Sequence, residues 1–383
     1  MAMADTREVA FVRTELEPAQ PAPIRTSGPV AWARKNLFAT PGDTVLTLLG
    51  VLFLFWIVPP IYNFLIGQAV WTGESGAVCR PSEVGHPVGA CWAFVIEFFD
   101  FFIYGFYPFA EQWRVNTCFA LGAVLLIPLM WPTGPFKITL GILFFVVYPV
   151  VVYFLLNGGV FGLPVVPTQN WGGLTITLIV GLVGIVASLP IGIVLALGRR
   201  SRLPIIKWFC VAFIELWRAV PLITVLFMAS VMLPLFAPEG VTVDKLLRAL
   251  IGISLFSAAY MAETVRGGLQ AIPRGQFEAA SALGLNYWKS MGFIVLPQAL
   301  KHVIPGIVNS FISLFKDTSL VSIVGIFDLL GTIQATTGDA LWASPTQAVT
   351  GYVFAAGVFW IFCFSMSRYS MMMERRLDTG HKR

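Results

Sequence analysis

The sequence predicts an all-α polytopic membrane protein with about eight transmembrane helices, and three observations favour that fold class. Hydrophobic residues make up 57% of the 383 residues and charged residues only 12%, about half the charged share of a soluble domain. A soluble fold of this length has too little interior to bury so much apolar surface. Eight apolar runs are long enough to cross a bilayer, and the basic residues collect between them on one predicted side.

Residues 1–42 precede the first apolar run. They are polar and carry prolines at positions 18, 21, 23, 29 and 41. A segment of this composition buries too little apolar surface to offset the entropy of ordering. We predict a short disordered cytosolic tail over residues 1–42.

The apolar runs give the positions of the transmembrane helices. Several carry Pro or Gly, which bilayer helices tolerate when their neighbours satisfy the freed backbone groups. The predicted spans are 44–66, 116–131, 138–157, 174–197, 208–236, 246–272, 303–330 and 348–370.

The distribution of basic residues predicts the orientation. An eight-span count that starts in the cytosol places most Lys and Arg clusters, including the one at residues 199–207, on the cytoplasmic side, together with both termini. Lys245 and Arg248 are the clear exceptions, with Glu239 and Asp244 nearby. The same count places residues 272–302 in the cytosol.

A periplasmic segment, residues 67–115, separates the first two spans and contains an aromatic run at Cys91–Tyr107. Polar side chains recur through it at helical spacing, at Glu97, Asp100, Tyr104 and Tyr107. We predict an interfacial helix whose aromatic face lies at headgroup level on the outer surface. The alternative is a ninth span, which would reverse the orientation of everything after it.

Cys79 and Cys91 flank a stretch rich in Pro and Gly within this outer segment. An oxidising periplasm would permit a disulfide bond between them. Two free thiols are the alternative, and the spacing does not decide between the two.

Two parts are visible along the chain. Residues 43–168 hold about three helices and the aromatic outer segment, whereas residues 169–383 hold five helices with the cytoplasmic loop 272–300 between the third and fourth. We find no convincing internal repeat, which argues against secondary transporters, because these commonly contain inverted halves.

The loop 272–300 contains a spaced motif. Glu278-Ala279-Ala280 is followed after three residues by Gly284, and after nine more by Ile294, Val295, Leu296 and Pro297. The alanines give a helix face without bulk, and Gly284 accepts the left-handed conformation at a helix end. We predict a helix–turn–helix, with the second short helix at about Tyr287–Phe293. The alternative is an amphipathic surface segment rich in small residues.

This spacing resembles the cytoplasmic "EAA" loop by which the membrane subunit of an ABC importer holds its ATPase. Three further stretches, at 215–222, 262–268 and 315–320, are similar in sequence and order to permeases of polar amino-acid ABC importers. The additional N-terminal helices and outer segment resemble the longer permease subunit of general L-amino-acid importers.

The resemblance implies a type I permease core at residues 169–383 and a multi-pass protein of the bacterial inner membrane that takes up L-amino acids. It also implies four kinds of partner: a second, related permease, a dimer of cytosolic ABC ATPases that binds the ATP, a periplasmic amino-acid-binding protein and membrane lipids. No cofactor is expected in this chain. The residues implied in ATPase coupling are Glu278, Ala279, Ala280, Gly284, Ile294, Leu296 and Pro297.

Lys316 and Asp317 lie about thirteen residues into an apolar helix, roughly 20 Å at the helical rise. Ionisable groups at that depth usually face a bundle interior or a water-filled cavity. An amino acid carries both an ammonium and a carboxylate, so we predict that these residues, with Ser310, line the substrate path. The alternative is that the two charges stabilise helix packing.

Two acid–base pairs stand at i,i+3 spacing, Glu215 with Arg218 and Glu263 with Arg266. This spacing places both side chains on one helix face. We predict structural pairs or gate supports near the cytoplasmic helix ends.

Other functional classes lack their motifs. The three histidines show no H-E-x-x-H spacing and no Walker-type G-x-x-x-x-G-K-[ST] motif occurs, so we predict a non-enzymatic subunit with no catalytic or metal site. No polar domain offers a basic surface for nucleic acid. An ion-coupled secondary amino-acid transporter, acting without an ATPase, is the alternative function.

Overall fold

The computed structural model describes residues 28–131, 134, 136–160, 162–236, 238 and 242–377. Regular secondary structure in this part of the chain is helical, apart from isolated bridges that join Val70 to Cys91 and Gly173 to Asp328. The predicted all-α class is confirmed. Residues 1–27 of the predicted disordered tail lie outside the described residues.

The described residues contain eighteen α-helices, some continued by π or 3-10 turns. In chain order they are α1 (Pro29–Asn36), α2 (Pro41–Tyr62), α3 (Pro81–Val84), α4 (Trp92–Glu97), α5 (Phe99–Tyr104), α6 (Gln112–Met130), α7 (Lys137–Ile142), α8 (Tyr148–Asn157), α9 (Gly173–Arg199), α10 (Pro204–Ala219), α11 (Leu222–Val231), α12 (Lys245–Ala271), α13 (Arg274–Ala282), α14 (Tyr287–Ser290), α15 (Leu296–His302), α16 (Ile304–Asp317), α17 (Leu329–Thr336) and α18 (Gln347–Leu377).

The chain divides by its internal contacts into residues 1–67 and residues 68–383. In the first unit, helices begin at Pro29 and Pro41, inside the predicted tail. Thr40 and Asp43 form a capping box, each side chain accepting the other's backbone N–H at 3.1 Å. These prolines begin helices because the ring fixes φ near the value of a first helical turn.

The second unit joins residues that the sequence divides at 168/169. Tyr107, Val115 and Leu156 share one buried cluster with Trp171 and Ile176. A common apolar core therefore connects the two predicted parts on either side of that boundary.

A close backbone approach joins the same two parts. Gly105 has φ +63°, and a Cβ placed there would lie 2.4 Å from the Cα of Gly172. Only glycine combines this conformation with so little space.

Seven helical segments are long and apolar enough to cross a membrane, and an eighth span is obtained if a bent pair is counted as one. This number agrees with the eight predicted spans. The run predicted at 116–131 is longer in the structure, at Phe109–Met130.

The bent pair replaces the continuous span predicted at 208–236. Helices α10 and α11 meet at an angle of 106°. Val220 between them is extended, with φ −105° and ψ 135°, and Pro221 follows. Proline disfavours a helical residue before it and supplies no N–H, so a single helix cannot run through this point.

The aromatic run at 91–107 forms two helices, α4 and α5, of six residues each. Neither is long enough to cross a bilayer. Phe94 and Phe102 are fully buried, and their rings lie against Trp342 and Phe354 respectively. The single helix that the sequence predicts is therefore two short helices, and Phe94 and Phe102 pack inside the protein and not at headgroup level.

Contacts between distant loops define two ends of the second unit. At the first end, Thr168 Oγ1 donates to Asp244 Oδ2 at 2.5 Å, immediately before α9 and α12 begin. Lys245 Nζ donates to the Gly325 carbonyl at 3.0 Å. The loop after α16 therefore belongs to the same end.

At the second end, Arg199, the last residue of α9, lies 2.8 Å from Glu263 in α12. Arg200 donates to the Leu269 carbonyl at 3.1 Å. Since α9 and α12 begin together and end together, they run in the same direction, and the chain between them must return from the second end to the first. The bent pair α10–α11 makes that crossing.

Candidate functional site

The predicted coupling loop is a helical hook at the second end. Helix α13 ends in a Schellman motif, in which Leu285 N–H donates to the Ala280 carbonyl at 3.1 Å and Gly284 N–H to the Ser281 carbonyl at 2.9 Å. Gly284 has φ +71°. The glycine therefore has the left-handed conformation that the spacing predicts.

The second arm of the hook is one helical path. Asn286 caps α14 by accepting the Lys289 N–H at 3.0 Å, and a π turn at Met291–Val295 leads into α15. This arm is longer than the predicted helix at 287–293. Pro297 lies in the first turn of α15, a position that needs no N–H donor.

The motif residues differ in exposure along the hook. Ala280 is buried, whereas Glu278, Ala279, Gly284 and Pro297 are exposed. Ile294 and Leu296 are half-buried. Leu296 packs against the apolar cluster of the second end, so one part of the motif faces the bundle and the other part faces outward.

Large apolar side chains project from the hook beside the motif. Leu283 is 76% exposed, Trp288 73% and Phe293 78%. Contiguous exposed apolar side chains commonly mark protein contact sites. The sequence motif did not identify these three residues. Their position on either side of Gly284 was a sequence signal that they belong to the same contact site.

Five charged side chains from three helices meet at the second end. Glu263 and Arg266 form the predicted pair, at 2.7 Å. Glu215 and Arg218 lie 3.9 Å apart, a looser contact. Both pairs join one network, since Arg218 also lies 3.8 Å from Glu263.

Arg199 is the centre of this network and was missed by the pair prediction. Its guanidinium lies 2.9 Å from Glu215 and 2.8 Å from Glu263. It thereby joins α9, α10 and α12. Local spacing could not reveal a contact between residues 64 positions apart.

A cavity of about 480 Å³ lies between α9, α12 and α16. Its polar lining comes from Ser188, Ser257, Asn309, Ser310, Ser313 and Asp317. The carboxylate of Asp317 forms no hydrogen bond or ion pair with any described residue. An acid that lines such a cavity without a hydrogen bond or ion pair can bind a cationic group.

The predicted path residues separate in the structure. Ser310 and Asp317 line the cavity, whereas Lys316 is exposed and does not. Successive helical residues project about 100° apart, which explains how neighbours in sequence reach different surroundings.

Tyr260 connects the cavity to the charge network. It lines the cavity, and the Arg218 guanidinium lies 5.7 Å from its ring centre in a cation–π contact. A displacement of the network would therefore reach a wall of the cavity. No sequence motif identified Tyr260 for this role.

At the first end, Cys79 and Cys91 form a disulfide bond, with Cα atoms 5.7 Å apart. This is one of the two alternatives that the sequence left open. The bonded segment is held to the C-terminal part of the chain, because Cys91 N–H donates to Thr350 Oγ1 at 2.9 Å and Arg80 Nε to the Ala343 carbonyl at 2.9 Å.

Asp328 also lies at the first end, where it caps α17. Its carboxylate accepts the Gly331 N–H at 2.9 Å and the Leu330 N–H at 3.3 Å. The residue is fully buried. Burial raises the pKa of Asp328 to about 7, against the opposing effect of these backbone N–H groups.

In the described ranges, no group of three or more His, Cys, Asp or Glu side chains is placed to hold a metal ion.

Residues 188–379 match the family model described as "Binding-protein-dependent transport system inner membrane component". The chain belongs to this family. As such an inner membrane component it is a permease subunit of an ABC importer, and the ion-coupled transporter raised as an alternative is not supported. The permease family also accounts for the multiple spans.

Relatives of this permease extend over its whole length. It is 51% identical over 364 residues to the inner membrane amino-acid ABC transporter permease protein YhdY of Escherichia coli (strain K12), which covers 95% of this chain and 97% of the relative. It is 39% identical to the glutamate/glutamine/aspartate/asparagine transport system permease protein BztC of Rhodobacter capsulatus, over 99% of this chain and 100% of the relative. The resemblance to amino-acid ABC permeases is confirmed.

Shorter relatives match about half of the permease. The L-cystine transport system permease protein TcyB of Bacillus subtilis is 32% identical, over 54% of this chain and 86% of its own length. A crystal structure of an amino acid ABC transporter with histidines covers 53% of this chain and 92% of that chain, at 27% identity and a TM-score of 0.47.

Proposed function

We propose that this permease imports L-amino acids of a polar or general range, which a periplasmic binding protein delivers to it at the bacterial inner membrane. A second, related permease and a dimer of cytosolic ATPases complete the importer. The observation that carries the proposal is the 51% identity, over 95% of the chain, to an amino-acid permease. This chain needs no cofactor of its own, since ATP is bound by the ATPases.

The disulfide bond supports a periplasmic location for the first end and a cytosolic location for the hook. Disulfides persist in the periplasm and are reduced in the cytosol, so the first end, which holds Cys79 and Cys91, faces the periplasm. The hook at 272–300 lies at the opposite end, which is then cytosolic. With a span before Gln68 and a last span ending near Leu377, this sidedness implies that both termini are cytosolic.

The hook is suited to couple ATP hydrolysis to transport. Its turn is fixed by the Schellman hydrogen bonds at Gly284, and its base is fixed by the buried Ala280. Leu283, Trp288 and Phe293 offer apolar surface to a partner. Closure of the ATPase dimer would move the hook as a rigid body and displace α12, which leads directly into it.

The cavity beside Asp317 is suited to the substrate. The ammonium of an amino acid can pair with the Asp317 carboxylate, and the substrate carboxylate can accept hydrogen bonds from the serine hydroxyls and Asn309. Because Lys316 lies outside the cavity, it does not supply the pairing cation. The second permease is proposed to close the open side of this space.

Uptake assays test the proposal. Cells lacking this chain and cells expressing it with its partner subunits are supplied with a panel of labelled L-amino acids. We expect ATP-dependent uptake of several polar amino acids only when the chain is present. Equal uptake in both cells, or uptake by this chain alone in vesicles without ATPase, would refute it.

Site-directed labelling tests the sidedness separately. A cysteine placed at Trp288 in a variant whose free cysteines are replaced by alanine should react with a membrane-impermeant maleimide only after the cells are opened. Reaction in intact cells would place the hook outside and contradict the coupling role.

A further inference from the structure

A groove of about 550 Å³ runs along the last turns of α18 beside the end of α6. Three arginines line it, Arg368, Arg375 and Arg376. They stand at i, i+7 and i+8, which places them on one side of the helix. The rest of the lining includes Met130, Met371 and Met372.

The three guanidinium groups have no partners among the residues that the structure describes. None of them forms an ion pair or a side-chain hydrogen bond there. Like charges gathered at one groove repel each other unless an anion lies between them. The groove is therefore built to favour a bound anion.

The chemistry of the lining favours a phosphate with an apolar attachment. Guanidinium groups bind phosphate oxygens through two parallel hydrogen bonds. The three methionine side chains supply a deformable apolar wall beside the charges. An inorganic anion would leave that wall without a contact, whereas the acyl chains of a lipid would cover it.

The depth of the groove also favours a lipid. Met130 is the last residue of α6, and Trp131, which is 65% exposed, follows it. Tryptophan at the end of a span is typical of the headgroup level. Basic grooves between transmembrane helices at this level are suited to anionic headgroups. Space that two spans leave between them in a bilayer is filled by lipid.

We propose that this groove binds an anionic glycerophospholipid, with its phosphate held by Arg368, Arg375 and Arg376 and its acyl chains against the methionines. The bound lipid fills the space between α6, which precedes the matched family region, and α18, which ends it. This inference does not depend on which substrate the permease carries.

Native mass spectrometry of the delipidated full-length chain in detergent tests the proposal. Dioleoyl phosphatidylglycerol, dioleoyl phosphatidylcholine and inorganic phosphate are titrated separately. We expect phosphatidylglycerol to bind at least tenfold more tightly than phosphatidylcholine. Arg375→Gln/Arg376→Gln should weaken phosphatidylglycerol about tenfold, and Arg375→Lys/Arg376→Lys should lie between, since lysine keeps the charge without the paired donors.

Arg202→Gln/Lys207→Gln is the matched control, because it removes two exposed positive charges at the same end outside the groove. It should bind phosphatidylglycerol as the unaltered chain does. If the double glutamine variant aggregates, the single Arg376→Gln variant, with a smaller expected loss, takes its place.

Three results would overturn the proposal. They are equal phosphatidylglycerol binding by the unaltered chain and the glutamine variants, equal binding of the two lipids, and displacement of phosphatidylglycerol by inorganic phosphate at similar concentration. The last result would show that the groove binds free inorganic phosphate and not a lipid.

Discussion

The guanidinium of Arg199 at the end of α9 lies 2.8 Å from the carboxylate of Glu263 in α12. Glu263 also accepts from Arg266 at 2.7 Å and lies 3.8 Å from Arg218. One carboxylate thus receives three cations from three helices. Because α12 continues into the hook, this junction lies on the route by which motion of the hook would reach the cavity.

Glu263→Gln should destabilise the permease, because it leaves three guanidinium groups together with Glu215 as their remaining carboxylate. The Glu263 side chain is 16% exposed, so we expect a loss of about 1–3 kcal/mol, measured as a lower apparent Tm in detergent. Glu215→Gln is the matched control. Glu215 is 54% exposed, so Glu215→Gln should lower the free energy of unfolding by less than about 1 kcal/mol. Equal losses of stability in the two variants would show that Glu263 is not the central residue of the network.

Variants of Gly284 should associate with the ATPase more weakly the less well the new residue tolerates positive φ. Its neighbourhood is empty within 4 Å, so backbone conformation alone separates small replacements. Asparagine visits the left-handed region and should retain more ATPase association than alanine or valine. Gly284→Arg should leave membrane insertion intact and abolish ATPase association, as measured by co-purification. Normal ATP-driven uptake by Gly284→Arg would refute the coupling role.

Trp288→Ala should weaken association with the ATPase at least tenfold while leaving the apparent Tm of the isolated chain unchanged. The reason is that Trp288 is 73% exposed and contributes little to the internal packing. Ala280→Leu gives the contrast. Ala280 is 1% exposed, so added bulk there should lower the Tm itself. Unchanged ATPase affinity in Trp288→Ala would exclude this side chain from the contact.

Asp317→Asn should alter uptake far more than Lys316→Gln. Asp317 lines the cavity, whereas Lys316 is exposed outside it. We expect at least a tenfold rise in substrate KM or a changed substrate range for Asp317→Asn, with normal assembly of the complex. Larger effects from Lys316→Gln would place the substrate path on the other side of α16.

Asp328 should make stability depend on pH. Its folded pKa is raised from 3.8 to about 7, so the folded state holds a proton that the unfolded chain releases. The free energy of unfolding should therefore fall as pH rises from about 4 to about 7, by at most about 1.4 kcal/mol per pH unit.

Asp328→Asn keeps an N-cap acceptor and removes the titration, so its apparent Tm should depend less on pH across that window. The comparison is made in detergent at pH 5 and pH 8. An identical change of Tm in both proteins would assign the pH dependence to other groups.

Local features were predictable because they depend on residues close together in sequence. The eight apolar runs, the left-handed Gly284 and the Glu263–Arg266 pair follow from hydrophobicity, glycine geometry and i,i+3 spacing. The break at Pro221 was also local, but its effect was missed because apolar composition continues across it. The burial of Phe94 and Phe102 in the aromatic segment 91–107 was missed for a similar reason, since composition does not distinguish lipid contact from burial against Trp342.

By itself, the sequence determined a polytopic helical membrane protein and the hook with its resemblance to ABC permeases, since mean hydropathy and motif spacing are properties of the unfolded chain as well. Only the tertiary structure decided that Arg199 joins the two predicted pairs, that Asp317 and Lys316 have different surroundings, and that three arginines of α18 line one groove with the methionine at the end of α6. These contacts depend on how helices far apart in sequence are rotated against one another, and that rotation is fixed by packing of the whole bundle.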